Sequence, residues 1–292
     1  MDRNLAVLAL LLAGSVSGAS AVGSQTAGPA LEAFSEGAGP PLVMLGGGTL
    51  GAGEFAAHAR VLAAQYRVVR LQTLNITAAE KRDPLPAAYS VKLESAAMTR
   101  SLDGLGLTTA LNVVGHSYGA LVALDFALDH PDRIRTLVLA EPPAFWIVSP
   151  EERASDNFRA IDDLSRTLGP TVVPTDDQFV RFQCALGNCG ARSPEPTDPA
   201  WKEWAWRRST LRGLSVVATH TDDVNRLKSF RRPVLIVTGS TTVAFHRRIN
   251  DLLARSLPQA ERAELPGGHG APAVAQAEFI RLIRTFVGRH VS

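Results

Sequence analysis

Six short apolar runs, separated by segments with helical spacing, constrain the fold of this chain more than any other feature. Each run is bounded by Gly, Pro or polar residues, as is typical of buried strands. Strands that are apolar along their whole length need cover on both faces, and the intervening helices can supply it. The pattern therefore predicts an α/β fold, with a mostly parallel sheet and helices on both faces. The runs are residues 40–45, 66–71, 111–115, 134–140, 233–238 and 260–265.

A long segment, residues 143–232, interrupts this alternation. It is rich in polar, helix-forming stretches and contains WKEWAWRR, which holds three of the chain's four Trp residues. We predict that it is a mainly helical cap inserted between the fourth and fifth strands. The predicted organisation is a signal peptide at residues 1–21, a core formed by residues 22–142 and 233–292, and the cap of residues 143–232. Within the core, the polar and Pro-containing residues 72–90 are expected to be a loop.

The N-terminus has the pattern of an exported protein. Arg3 is followed by an apolar stretch from Leu5 to about Ala13 and by small residues that end Ala19-Ser20-Ala21. A charged start, a short apolar core and an A-x-A-like end are typical of a secretory signal peptide. The apolar stretch is short for a membrane span. We therefore predict cleavage after Ala21, a secreted or periplasmic location and no stable membrane span; an uncleaved anchor or a buried helix is the alternative.

The chain has two cysteines, Cys184 and Cys189, in the segment QCALGNCGA. An exported chain meets oxidising conditions, so we predict a disulfide that closes this small loop. Two free thiols or half of a metal site are the alternatives, but no His and no second Cys pair lies nearby in the sequence.

The charge pattern argues against nucleic-acid binding. The formal net charge is +2, and the basic residues are scattered singly or in pairs such as Arg207-Arg208. No basic run is suited to tracking phosphates, so we expect no nucleic-acid partner. The sequence implies no metal and no organic cofactor, so none is expected. It leaves the oligomeric state open.

The third apolar run continues into a helix-like segment through LNVVGHSYGALVAL, in which residues 115–119 match G-x-S-x-G. The strand stops at the first Gly and the helix begins at the second, so the serine lies on a sharp turn with its hydroxyl at the carboxyl edge of the sheet. The alternative is a glycine-rich turn with an incidental Ser. In this context the sequence resembles the α/β-hydrolase fold family, from about Leu31 to the C-terminus. The resemblance implies that Ser117 is the nucleophile, activated by a neighbouring base.

His269 is the expected base among seven histidines. It follows the last strand in ELPGGHGAP and precedes the final helix, which is where the family places its base. The other histidines have structural interpretations: His116 lies inside the elbow, while His58 and His246 lie on helix-like segments. His220 belongs to the predicted cap, where it could line the pocket.

Acyl transfer also needs hydrogen-bond donors for the developing oxyanion. The resemblance implies that one is the backbone N–H of Tyr118, the residue after the nucleophile. The other comes from the loop after the first strand, LGGGTLG. The family commonly has His-Gly there, but Gly46 stands in place of the His, so Gly48 matches the donor with the register open by one residue. A flexible turn without a donor role is the alternative.

The triad acid departs from the common pattern of the family. Most members place an Asp shortly after the strand written here as PVLIVTG, but Thr242 stands near that position and no carboxylate follows until Asp251. Three explanations remain open. The triad is broken, or Asp222 or Asp223 of the cap supplies the acid, or another strand end does.

Glu141 supplies the third explanation. It ends the fourth apolar run in LVLAEPPAF, where a buried carboxylate costs free energy unless a neighbour needs its charge. Some haloalkane dehalogenases carry their acid at the matching place, and the order Ser117, Glu141, His269 keeps the acid before the His. A Glu that pairs with an Arg or caps the cap domain is the alternative.

The resemblance thus implies an exported serine hydrolase that acts on an ester-type substrate through a Ser-His-Glu triad and an acyl-enzyme. A small-molecule acyl or ester compound is the expected partner, and a lactone, an amide or a carbon–carbon bond next to a ketone are alternative targets. Dehalogenation and epoxide hydrolysis on this fold use a carboxylate nucleophile, which Ser117 does not offer. An acyltransferase or perhydrolase, and a non-catalytic binding protein on the same fold, remain as other functions.

Overall fold

The six runs form six neighbouring strands of a single sheet in the computed structural model, which describes residues 28–290. Within these residues the sheet has seven strands in the order β1-β3-β2-β4-β5-β6-β7. β1 runs antiparallel to β3, and every other neighbouring pair is parallel. The predicted α/β class with a mostly parallel sheet is therefore confirmed. The strands are β1 (Glu32–Glu36), β2 (Pro41–Leu45), β3 (Arg67–Gln72), β4 (Leu111–His116), β5 (Ile134–Ala140), β6 (Val234–Gly239) and β7 (Ala260–Leu265).

Helices precede or follow each parallel strand along the chain. In chain order they are α1 (Ala56–Leu62), α2 (Leu74–Lys81), α3 (Val91–Gly104), α4 (Tyr118–Asp129), α5 (Pro150–Arg153), α6 (Asp156–Thr167), α7 (Asp176–Ala185), α8 (Trp201–Ser209), α9 (Ser215–Thr219), α10 (Val224–Ser229), α11 (Ala244–Ser256), α12 (Ala271–Val274) and α13 (Gln276–Gly288). Short 3₁₀ turns occupy Gly51–Phe55, Pro131–Arg133, Phe145–Ile147 and Thr210–Gly213.

Two elements differ from the sequence prediction. The strand β1 was not expected, because its sequence EAFSE is largely exposed at the sheet edge and carries no apolar run. The loop predicted for residues 72–90 is wrong in part, because it contains the helix α2. The first backbone N–H groups of α2, those of Leu74 and Asn75, donate to the buried carboxylate of Glu94 on α3. This distant N-terminal cap stabilises a helix whose own sequence is weakly patterned.

The alternation of side chains along each strand divides the core into two layers. Val43 and Leu45 of β2 point to the layer that is covered by α3, α4 and α11. Leu42 and Met44 point to the opposite layer, which is covered by α1 and α13. Burial of apolar area on both sides of the sheet holds the strand ends in fixed positions, and the loops after β2, β4, β5, β6 and β7 therefore meet at one carboxyl edge.

Between β5 and β6 the described chain forms only helices, turns and loops, from α5 to α10. This agrees with the helical character expected there, while the boundaries of the cap at residues 143–232 stay a prediction. A disulfide joins Cys184 of α7 to Cys189 just after it, as predicted. The predicted signal peptide, residues 1–21, lies outside the described residues. Among residues 28–290, no helix combines the length and apolarity that a membrane crossing requires.

Candidate active site

Ser117 lies on a tight turn between β4 and α4. Its φ of 51° and ψ of −125° are unusual for a residue with a side chain. Two glycines make the turn feasible: a Cβ on Gly115 would overlap the backbone of Ala120, and a Cβ on Gly119 would overlap the carbonyl oxygen of Gly46. Such a conformation costs roughly 1–3 kcal/mol and persists because the surrounding packing imposes it. It presents the Ser117 hydroxyl at the carboxyl edge of the sheet.

His269 is brought to Ser117 by the loop after β7. Its Nε2 atom lies 2.9 Å from Ser117 Oγ. Its Nδ1 atom lies 2.8 Å from Glu141 Oε2. Because an ionised carboxylate only accepts hydrogen bonds, we assign the ring proton to Nδ1, which leaves Nε2 free to accept the Ser117 hydroxyl proton. Burial lowers the pKa of His269, and this favours the neutral ring that a base needs.

Glu141 lies directly after β5, with a positive φ of 49°. Its carboxylate is buried and also accepts hydrogen bonds from the Gly239 N–H and the Thr242 hydroxyl, each at 2.8 Å. Burial by itself would raise the pKa of Glu141, but the hydrogen bonds from His269 and from the Gly239 N–H help to hold it at about 2. The carboxylate is therefore ionised at neutral pH.

The other candidates for the acid are occupied elsewhere. Asp222 pairs with Arg226 at 2.8 Å, and Asp223 accepts from the Asn225 backbone N–H at the start of α10. Thr242, which stands near the position of the missing Asp, instead donates its hydroxyl to Glu141. The geometry thus brings Ser117, His269 and Glu141 together and leaves the two cap aspartates bonded within their own segment.

Gly48 and Tyr118, the residues of the two predicted oxyanion donors, line the same cavity as Ser117. Within the described chain, neither the Gly48 N–H nor the Tyr118 N–H has an acceptor. The neighbouring Gly47 N–H donates to Glu54 Oε2 at 2.6 Å, so it is not available to a substrate. This favours the register in which Gly48 is the donor, a role that stays a prediction.

A cavity of about 50 Å³ opens beside Ser117. Its floor is formed by the loops at the carboxyl edge of the sheet, and its roof by α6, α7 and the segment from α8 to α9. Polar groups are few, and most of the wall is apolar, which favours a substrate with a hydrophobic acyl or alcohol portion. The apolar wall consists of Pro143, Phe145, Ile161, Phe182, Leu186, Leu211, Leu214, Val217 and Phe245.

Three buried residues at this site were not predicted to be functional. Glu54 and His116 form a close pair, with Glu54 Oε1 2.6 Å from His116 Nδ1. His246 stacks on His269, with ring centroids 4.2 Å apart and ring planes inclined by 15°. His116 and His246 were expected only to pack, and Glu54 follows a glycine-rich loop with no motif around it. The Glu54–His116 pair can be recognised only when the tertiary structure is known, because the two residues lie far apart in the sequence.

Two groups of side chains in the described residues have metal-ligating atoms within 4.8 Å of one another. In the first, Glu141, His246 and His269, the two rings stack face to face, so their in-plane nitrogen lone pairs do not converge on one point. The second group is Asp125, His220 and Asp222. Asp125 Oδ1 of this group is paired with the positive charge of Lys92, whose Nζ atom lies 2.8 Å away. We assign a metal to neither.

Comparison with known proteins gives a consistent result. The family model described as the alpha/beta hydrolase fold matches residues 40–274. A Klebsiella pneumoniae protein named as a carbamate hydrolase, RutD, is 27% identical over 250 residues, which cover 84% of this chain and 90% of that protein. A cis-3-alkyl-4-alkyloxetan-2-one decarboxylase of Xanthomonas campestris is 26% identical over 219 residues, covering 68% of this chain and 72% of the other.

Solved structures share the fold at low sequence identity. A thermophilic esterase from Thermogutta terrifontis superposes with a TM-score of 0.66 at 19% identity, covering 90% of this chain and 94% of the esterase. An enol-lactonase from Burkholderia xenovorans superposes with a TM-score of 0.59 at 15% identity, covering 88% and 96%. At these identities the likeness concerns the architecture alone.

Proposed function

The chain belongs to the α/β-hydrolase fold family, and from that premise we propose that it is a serine hydrolase that cleaves an ester-type substrate through an acyl-enzyme. Ser117 is the nucleophile, His269 the general base and acid, and Glu141 the acid that orients His269. The observation that supports this most is the unbroken hydrogen-bond chain from Ser117 Oγ through the His269 ring to the Glu141 carboxylate, with 2.9 Å and 2.8 Å between the atoms.

In the first half of the reaction, Ser117 Oγ attacks the carbonyl carbon while its proton passes to His269 Nε2. The resulting imidazolium is stabilised by the ionised Glu141, and the tetrahedral oxyanion accepts from the Gly48 and Tyr118 N–H groups. Collapse of this intermediate breaks the ester bond, and the leaving alcohol takes the proton from Nε2. In the second half, water attacks the acyl-enzyme with His269 as base, which releases the acid and restores Ser117.

The apolar cavity wall supports an ester with an apolar acyl or alcohol portion. The segment of residues 143–232 contributes Phe182, Leu186 and Val217 to that wall, which is consistent with the proposed role of this segment as a cap. The relative named as a carbamate hydrolase acts, by that name, on a carbonyl group bonded to nitrogen and oxygen. Carbamates are therefore the first substrates to test after esters.

We also propose that the protein is exported. The signal-peptide pattern of residues 1–21 supports this location, and so does the Cys184–Cys189 disulfide, since such bonds persist in oxidising compartments.

A panel of p-nitrophenyl esters of increasing chain length, from acetate to octanoate, tests the proposed activity. The wild type should turn over the short esters with a burst of p-nitrophenol equal to the enzyme concentration, and Ser117→Ala should abolish both phases. Absence of turnover in folded wild-type protein would favour the non-catalytic alternative. Adding methanol as a competing nucleophile separates a hydrolase from an acyltransferase, because only the latter would form mainly methyl ester in dilute alcohol.

A further inference from the structure

A buried ion pair connects three loops of the candidate site. Glu54, in the turn after the glycine loop, has one carboxylate oxygen 2.6 Å from the Gly47 N–H and the other 2.6 Å from His116 Nδ1. His116 immediately precedes Ser117, and its Nε2 atom lies 2.8 Å from the carbonyl oxygen of His269. Contacts through two side chains therefore link the oxyanion loop, the nucleophile turn and the loop of the base.

The partners of His116 determine its charge. A carbonyl oxygen accepts at Nε2 and a carboxylate oxygen faces Nδ1, so only the doubly protonated ring offers a proton to each. The 2.6 Å separation of His116 Nδ1 and Glu54 Oε1 is typical of a charge-assisted contact. Burial alone would lower the pKa of His116, but the Glu54 carboxylate raises it. Both members are buried, so each needs the charge of the other.

This chain has no room for the histidine that the family commonly carries at the position of Gly46. A side chain on Gly46 has no room, because its Cβ would overlap the carbonyl oxygen of Gly51. The loop must therefore be held by a group from outside it, and Glu54 reaches Gly47 from the following turn. The Gly47 contact fixes the peptide that precedes Gly48, whose N–H is the proposed oxyanion donor.

We propose that the Glu54–His116 pair positions the oxyanion donor at Gly48 and the backbone of His269, replacing the histidine that other members carry in the loop. The pair touches no substrate atom; it acts through Gly47 and His269. This inference rests on the proposed function, since it concerns the geometry of the same reaction.

Replacing Glu54 tests this role. Glu54→Ala should lower kcat by about 10²-fold with little change in KM, since displacing one oxyanion donor weakens transition-state binding alone. The affinity for a trifluoromethyl ketone should fall in parallel, because Ser117 adds to its carbonyl and leaves an oxyanion in the hole. Glu54→Gln should retain kcat within about tenfold, because the amide can accept from Gly47 and donate to a neutral His116.

The matched control is Glu36→Ala, which removes a surface ion pair with Arg70 on the same sheet and should leave kcat within about twofold. If Glu54→Ala does not fold, Glu54→Asp, which is too short to reach both partners, should still lower kcat by about tenfold or more. A folded Ala or Asp variant with near-normal kcat and inhibitor affinity would overturn the inference. Absence of turnover in the wild type would instead contradict the proposed function.

Discussion

Glu141→Gln isolates the charge of the proposed triad acid at nearly constant volume. The carboxylate receives hydrogen bonds from His269, Gly239 and Thr242, and its pKa lies at about 2 where 4.5 is usual. Since one pKa unit corresponds to about 1.4 kcal/mol, this displacement represents about 3 kcal/mol of preference for the charged form. Much of that preference comes from His269, so the imidazolium formed during catalysis loses stabilisation of the same order when the charge is removed.

A loss of about 3 kcal/mol in the transition state lowers kcat by about 10²-fold. The loss should reach about 10⁴-fold if the amide NH₂ turns toward His269 and selects the wrong tautomer. The assay is p-nitrophenyl butyrate hydrolysis, with circular dichroism to verify folding. Asp222→Asn and Asp223→Asn are the matched controls and should change kcat by less than about threefold. If Glu141→Gln kept kcat within that range, the assignment of Glu141 as the acid would be refuted.

Three further predictions follow from the same geometry. The pKa of His269 is lowered by burial, so the acid limb of kcat/KM should have its midpoint below pH 6.5, and a midpoint at or above 6.5 would contradict the neutral base. The folded-state pKa of Glu141 is depressed, so its contribution to stability is complete above pH 4.5 and is lost as the pH falls toward 2. The urea midpoint of unfolding should therefore fall more steeply over that pH interval in the wild type than in Glu141→Gln. Parallel curves of midpoint against pH would argue against the pKa shift. Gly119→Ala should abolish activity and lower the melting temperature, because the new Cβ overlaps the Gly46 carbonyl oxygen, whereas Gly53→Ala, where a Cβ meets nothing, should be mild.

The sequence predicted those parts of the fold that depend on local patterns. The apolar run at 134–140 coincides with β5, because a strand that is covered on both faces must be largely apolar. The run at 260–265 coincides with β7, although this edge strand, AERAEL, is mostly half-buried or exposed. The sequence also placed Ser117, Glu141 and His269 at the carboxyl ends of different parallel strands, and the sheet brings such ends together. The close approach of these three side chains follows from the topology.

The remainder depends on contacts between distant segments, which leave no local pattern. The helix α2 is capped by Glu94, which lies on another helix. The sequence of residues 72–90 therefore does not contain the residue whose side chain caps the start of α2. Glu54 pairs with His116 across 62 positions of the chain, and its neighbourhood contains no motif.

Covalent labelling of Ser117 tests the central claim most directly. The folded protein is incubated with a fluorophosphonate probe, digested, and examined by peptide mass spectrometry. We predict a single adduct on the Ser117 hydroxyl, formed with loss of fluoride, abolished in Ser117→Ala and slowed by at least about 10²-fold in His269→Ala, because the hydroxyl is then without its base. A folded wild-type protein that remains unlabelled, or that is labelled equally well in Ser117→Ala, would contradict the account.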